Sequence, residues 1–145
     1  MAVAAAMMPA RAVASDAADV MATVRQFVNG FNTGDMKSAA AACDSPAFVI
    51  DDFPPHAWAG ATACADWARA YAASVRDAGI TGGIVTMGTP LHDDVTGDRA
   101  YVVVPTTFAY KLHGKPVVET GAEWTLALKK TAAGWRIEAW AWAKH

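Results

Sequence analysis

The C-terminal half of the chain constrains the fold most, because it is a series of apolar-rich runs separated only by tight turn signals. The runs are Ile84 to Leu91, Arg99 to Leu112, Val117 to Lys130 and Trp135 to Lys144. Asp93-Asp94 with Gly97-Asp98, His113-Gly114-Lys115 and Thr131 to Gly134 lie between them and carry the residue types that turns need. β-Branched and aromatic residues dominate the runs, so strands joined as antiparallel hairpins are expected. Pro105 lies inside the second run and lacks a ladder donor, which predicts a bulge or bend. A bent sheet can wrap around a helix.

The last run has two unlike faces. Trp135, Ile137, Ala139, Ala141 and Ala143 alternate with Arg136, Glu138, Trp140, Trp142 and Lys144. The first set is small and apolar, as helices lying against a concave sheet require. The second mixes charge with large aromatics, so it is expected on the outer sheet face, covered by a second copy in a homodimer. The alternative is that the tryptophans close the core at the open end of the sheet.

Before Gly79 the pattern is helical. Val20, Val24, Phe27, Val28 and Phe31 recur at steps of three and four from Asp16, with Ser15 or Asp16 as the cap. Asn32-Thr33-Gly34-Asp35 ends that helix and starts a short alanine-rich one, Met36 to about Cys43, which Ser45-Pro46 breaks. A third helix runs from Thr62 to about Ala78, with Trp67, Ala70, Tyr71, Ser74 and Val75 on one face and Gly79 as its stop. The predicted class is therefore α+β, with helices on one face of a curved antiparallel sheet.

Between the second and third helices lies AFVIDDFPPHAWAG, Ala47 to Gly60. Its apolar run reads as a strand and ends in paired carboxylates, so Asp51 is delivered to the place where helices meet sheet. A partly desolvated carboxylate there has a raised pKa and can remove a proton next to a carbonyl. Asp52 points the other way if the strand continues. His56 belongs to a proline loop at the rim, and Trp58 is a lid or core aromatic.

At 145 residues the chain fits one domain, residues 15–145, with a core of useful size. The first 14 residues are a flexible leader or the remnant of a signal peptide, the latter implying a periplasmic or secreted protein and the former a cytoplasmic one. A net charge of -2 gives no basic footprint for nucleic acid or an anionic membrane surface, and no charge-free run approaches the roughly 20 residues that span a bilayer. A small apolar ligand is the expected partner. Cys43 and Cys64 have no metal-binding spacing and are expected as buried free thiols, although export would permit a disulfide. The motifs G-x-x-x-x-G-K, H-E-x-x-H and G-x-S-x-G do not occur, so neither a metal nor a cofactor is implied.

Val24-Arg25-Gln26-Phe27-Val28, Phe31-Asn32-Thr33-Gly34-Asp35, Ala47-Phe48-Val49-Ile50-Asp51, Gly60-Ala61 and Gly134-Trp135-Arg136-Ile137 together resemble the nuclear transport factor 2-like superfamily, in its ketosteroid isomerase-like and SnoaL-like branch. The resemblance covers nearly everything after Ser15. It implies a cone with an apolar pocket between helices and sheet, often dimeric through the sheet, and it places Asp51 at the general base of the isomerases. It also shows a departure, since Phe27 stands where those enzymes carry a tyrosine donor, and phenylalanine cannot donate. The lost donor typically contributes about 2.7–4 kcal/mol. Glu123 would have to supply the second donor, but strand parity turns it away, because Trp124, Leu126 and Leu128 form the apolar face. Tyr101, Tyr110 and His92 are the remaining donors. Phe27, Trp58, Trp124, Tyr110 and His92 are thus the expected lining around Asp51. The implied activity is a cofactor-independent isomerase, cyclase or dehydratase. The alternative is a non-catalytic ligand-binding or dimerisation module of the same fold.

Overall fold

The computed structural model describes residues 10–145. Its helices are α1 (Ala10–Thr33), α2 (Met36–Ala41) and α3 (Ala63–Ala78). Its strands are β1 (Cys43–Ile50), β2 (Ala57–Gly60), β3 (Ile80–Met87), β4 (His92–Thr96), β5 (Arg99–Leu112), β6 (Lys115–Thr131) and β7 (Gly134–Ala143). They form one open, curved seven-stranded sheet in the order β2-β1-β7-β6-β5-β3, with β4 sharing the outer edge of β5 with β3. The α+β class is as expected, but the sheet is mixed, since β1 runs parallel to β7. No helix among the described residues is long and apolar enough to cross a membrane.

The α1 face works as its spacing predicts. Val20, Val24, Phe27 and Val28 are all buried in the cluster shared with the sheet and α3. Two polar side chains fix the helix over the sheet. Thr23 donates to the carbonyls of Asp19 and Trp135, and Asn32 exchanges two 2.8 Å hydrogen bonds with the backbone N–H and C=O of Val85. The Asn32 amide thereby satisfies a stretch of β3 as a neighbouring strand would. The helix starts at Ala10 rather than at a Ser15 or Asp16 cap, because the run through Ala14 is rich in the best helix former. Asp16 instead contacts Lys130 and the Trp135 indole. Of the expected leader, residues 10–14 belong to α1 and residues 1–9 lie outside the described residues.

Downstream boundaries shift for reasons the sheet supplies. The second helix ends at Ala41 instead of Cys43, because the Ala42 carbonyl accepts from Ile137 N–H and β1 begins at once. Ser45-Pro46 lies inside β1, in the stretch where its pairing with β7 is irregular. Cys43 and Cys64 are joined in a disulfide, with Cα atoms 6.6 Å apart. The expectation of free thiols is therefore corrected: the bond ties the start of β1 to the first turn of α3. Gly79 ends α3 with φ of 71°, as its sequence position predicts.

Asp93-Asp94 is not a turn but part of β4, an edge strand. The edge of β5 explains it. Gly88 N–H reaches the Pro105 carbonyl where β3 leaves, and His92 to Thr96 then take up pairing with Val103 to Arg99. Pro105 sits at this change of partner, where its missing N–H costs no ladder bond. The predicted irregularity falls just beyond it, and the extra residue belongs to β6 beside Gly121, whose φ is 82°.

A second irregularity overturns the reading of the last strand. Leu128 pairs with Ile137 and Ala127 with Ala139, so Glu138 is an extra residue in β7. One added residue exchanges the faces of everything after it. Trp135 and Ile137 are buried before the bulge, and Trp140 is buried after it, with Trp142 beside it on the same side. Ala139 and Ala141 take the outer face. The two tryptophans close the core, so they cannot form the outer surface on which the homodimer expectation was built.

Candidate functional site: a carboxylate in an aromatic cavity

Asp51 is the first residue past β1, and the loop after it is closed on itself. Asp51 N–H donates to the His56 carbonyl at 3.0 Å, and His56 N–H donates to that of Phe53 at 2.9 Å. This loop and strand end hold the Asp51 side chain at a cavity of about 260 Å³ between α1, α3 and the sheet. Phe27, Phe31, Trp67, Tyr71, Trp124 and Trp140 are among its walls.

The carboxylate is bound on both oxygens. Trp67 Nε1 donates to Oδ2 at 2.7 Å, and the backbone N–H of Asp52 donates to Oδ1 at 2.7 Å. Burial nevertheless pushes the Asp51 pKa up to about 6; the two hydrogen bonds oppose the rise, and the Asp52 carboxylate adds to it. Desolvation wins because the surroundings are aromatic. At neutral pH the group is largely ionised, yet basic enough to accept a proton. Tyr71, one helical turn from Trp67, has its pKa pushed up to about 12 by burial and then by the Asp51 charge. It stays a neutral hydroxyl.

The floor is a packed group of rings. Phe27 lies 5.7 Å from Trp67, 5.2 Å from Trp124 and 5.7 Å from Trp140, centroid to centroid. Neither Trp124 Nε1 nor Trp140 Nε1 has a hydrogen-bond partner among the described residues. A buried donor without an acceptor costs about 1–3 kcal/mol, and native structures carry few. The mouth is polar by contrast. Tyr110 donates to Glu119 at 2.9 Å, and Lys144 lies 3.3 Å from the same oxygen and 3.4 Å from Asp52. Burial works against the Lys144 ammonium, but Glu119 and Asp52 outweigh it and hold its pKa above the usual lysine range.

Of the residues singled out by sequence, Asp51, Phe27, Trp124 and Tyr110 line this cavity. Trp58 does not: it pairs with Val49 across β1 and β2 and packs behind Phe53, ring centroids 5.1 Å apart. His92 and Tyr101 lie against each other at 6.0 Å, exposed where β4 meets β5 and away from the cavity. Glu123 is exposed too, as strand parity predicts. Asp52, expected to face away, lines the cavity because the chain turns directly after Ile50. Sequence reasoning missed Trp140, Trp142, Glu119 and Lys144 as site residues. Trp67 and Tyr71 carried a signal, four apart on the inward face of a helix, but nothing in the sequence tied them to Asp51.

No protein-family model matches the chain, and no curated protein was found to match it. Solved structures do match in three dimensions. A nuclear transport factor 2-like protein with a cystatin-like fold from Novosphingobium aromaticivorans superposes with TM-score 0.76 at 15% identity, over 92% of this chain and 84% of that one. A ketosteroid isomerase-like protein from Erwinia carotovora atroseptica gives 0.70 at 17% identity, over 89% and 95%. A proposed dehydratase of the nuclear transport factor 2-like family from Streptomyces avermitilis gives 0.74 at 16% identity, over 91% and 98%. The chain thus has the nuclear transport factor 2-like fold; at these identities the likeness establishes nothing finer.

Proposed function

We propose that the cavity is a small-molecule site in which Asp51 acts as general base on an apolar carbonyl compound, without a cofactor. The observation that carries this reading is a carboxylate with a pKa near 6 opening onto an aromatic cavity. About 260 Å³ suits a ligand of one or two rings. Above pH 6 the ionised carboxylate accepts a proton from the carbon next to the carbonyl, and the C–H electron pair moves to form an enolate. Return of the proton from Asp51 to another carbon of a conjugated enolate gives an isomerase; expulsion of a β-hydroxyl, which leaves as water with that proton, gives a dehydratase; attack of the enolate carbon on a second carbonyl, whose oxygen takes that proton, gives a cyclase. Trp67 keeps the carboxylate in place and leaves lone pairs on both oxygens free. The fold relatives with ketosteroid isomerase-like and proposed dehydratase descriptions are consistent with this chemistry.

Phe27 favours a second reading, a ligand-binding module without catalysis, because it removes the tyrosine donor that the isomerases use. One experiment separates the two. Wild-type protein is expected to speed deuterium incorporation next to the carbonyl of 2-tetralone in heavy water, and Asp51→Asn to abolish that acceleration. Equal rates in the two proteins remove the base and leave the binding module.

The homodimer is also proposed, on different residues from those the sequence suggested. Phe48, Ala139, Ala127 and Tyr101 are successive partners across β1, β7, β6 and β5, and Phe48 and Tyr101 are 57% and 48% exposed. Sedimentation is expected to give a dimer that Phe48→Asp dissociates; a wild-type monomer at all concentrations refutes it.

A further inference from the structure

The charge around the cavity is unevenly matched. Among the described residues its ionised lining is Asp51, Asp52, Glu119 and Lys144, while Tyr71 and Tyr110 are neutral hydroxyls. Lys144 is the cation of that set, and it is already held at the mouth, 3.4 Å from Asp52 and 3.3 Å from Glu119. Asp51 has no such partner. Both of its side-chain contacts are neutral N–H groups, from Trp67 and the Asp52 backbone, and no lysine, arginine or histidine pairs with the carboxylate among the described residues. Burial thus weighs on a charge that the protein leaves without a counter-ion.

The walls suit a cation as well. Phe31, Phe53, Tyr71, Phe108, Tyr110 and Trp142 line the cavity and are each only partly buried, so aromatic surface is open to a ligand. Phe53 follows the two aspartates directly in the chain, and its ring lies 6.1 Å from that of Tyr71, whose ionisation the Asp51 charge opposes. Aromatic surface therefore stands next to the unpaired carboxylate, and aromatic faces attract ammonium groups. A ligand carboxylate meets the opposite field. Asp51, Asp52 and Glu119 repel it, and Lys144 would have to leave two carboxylates to receive it.

We propose that the cavity binds protonated ring amines, with the ammonium on Asp51 and the ring body among the aromatic walls, and discriminates against ring carboxylates of the same size. This rests on the reading of the cavity as a small-molecule site but not on proton abstraction. An ammonium takes up the lone pairs with which Asp51 would accept a proton from carbon. These amines are therefore inhibitors of the proposed carbonyl chemistry and not its substrates.

The test titrates 15N-labelled wild-type protein at pH 8 with 2-aminotetralin, tetralin and tetralin-2-carboxylate, which share one ring body and carry a positive charge, no charge and a negative charge. Affinity is expected to fall in that order, by about tenfold at each step. Asp51→Asn is expected to bring the amine and tetralin within about twofold of each other. Lys144→Met removes the cation of the lining and is expected to widen the gap between amine and carboxylate. In wild-type protein the amine is expected to lower the midpoint of the Asp51 carboxyl titration, and tetralin to leave it in place. If the amine binds no tighter than tetralin, if the carboxylate binds as well as the amine, or if Asp51→Asn keeps the amine preference, the proposal is wrong. Should that variant fail to fold, the wild-type carboxyl titration decides, and a midpoint that the amine does not move overturns the proposal. Amine selectivity in a protein that exchanges no proton would remove the base reading and leave this site; proton exchange that the amine does not inhibit would remove this site and leave the base.

Discussion

Replacing Asp51 by asparagine is expected to stabilise the protein above pH 6 and to destabilise it in acid. The folded-state pKa is raised from 3.8 to about 6, so between these values the folded protein binds more protons than the unfolded chain. Stability therefore falls as pH rises through this window and stays reduced above it. About 2 pH units correspond to about 3 kcal/mol. Asparagine is neutral throughout and escapes this penalty, but its single carbonyl oxygen can keep only one of the two acceptor contacts, to Trp67 or to the Asp52 backbone, at a cost of about 1 kcal/mol. The balance is a gain of about 2 kcal/mol at pH 8 and a loss of about 1 kcal/mol at pH 3.5. Calorimetric melting of both proteins across that range reads it, as a Tm difference of several degrees that changes sign between the two ends. A variant less stable than wild type by the same amount at every pH would show that Asp51 is not desolvated, and the argument for a buried base would go with it.

Trp67→Phe removes a hydrogen bond that holds the Asp51 pKa down, so the acid limb of any Asp51-dependent rate is expected to move above pH 6; an unmoved limb would separate Trp67 from the base. Asn32→Ala strands the Val85 N–H and C=O beneath α1 and is expected to cost about 2–3 kcal/mol in denaturant melts, whereas a change under about 0.5 would mean that water replaces the amide. Reduction of Cys43–Cys64 opens a loop of sequence separation 21 and is expected to cost about 3 kcal/mol, read as a lower Tm with reductant and no such drop in a Cys43→Ser, Cys64→Ser variant.

The helices and the position of Asp51 were legible because they depend on local signals. The α1 face repeats every three or four residues, Gly34 and Gly79 mark left-handed helix ends, and an apolar run that stops at a carboxylate puts that carboxylate at a core boundary. What failed depends on register. Alternation along β7 would put Trp140 and Trp142 outside, and only the extra residue at Glu138 turns them in, a displacement that no residue type announces. The mouth is equally illegible. Glu119 and Lys144 meet across 25 residues because β6 and β7 pair as they do, and Asp52 joins them because the loop turns at once. Cys43 and Cys64 failed for the same reason, since their approach is a property of how α3 lies against β1. His92 and Tyr101 were placed by side-chain chemistry alone, and β4 carries them to an exposed edge.

The proposed chemistry depends on the buried Asp51 carboxylate being the proton acceptor. It is tested most directly by following the 13C resonance of the Asp51 carboxyl and the rate of 2-tetralone deuterium exchange in the same samples across pH. The two are expected to titrate together with a midpoint near 6. A carboxyl that titrates near pH 4, or an exchange rate that ignores its ionisation, rules Asp51 out as the base.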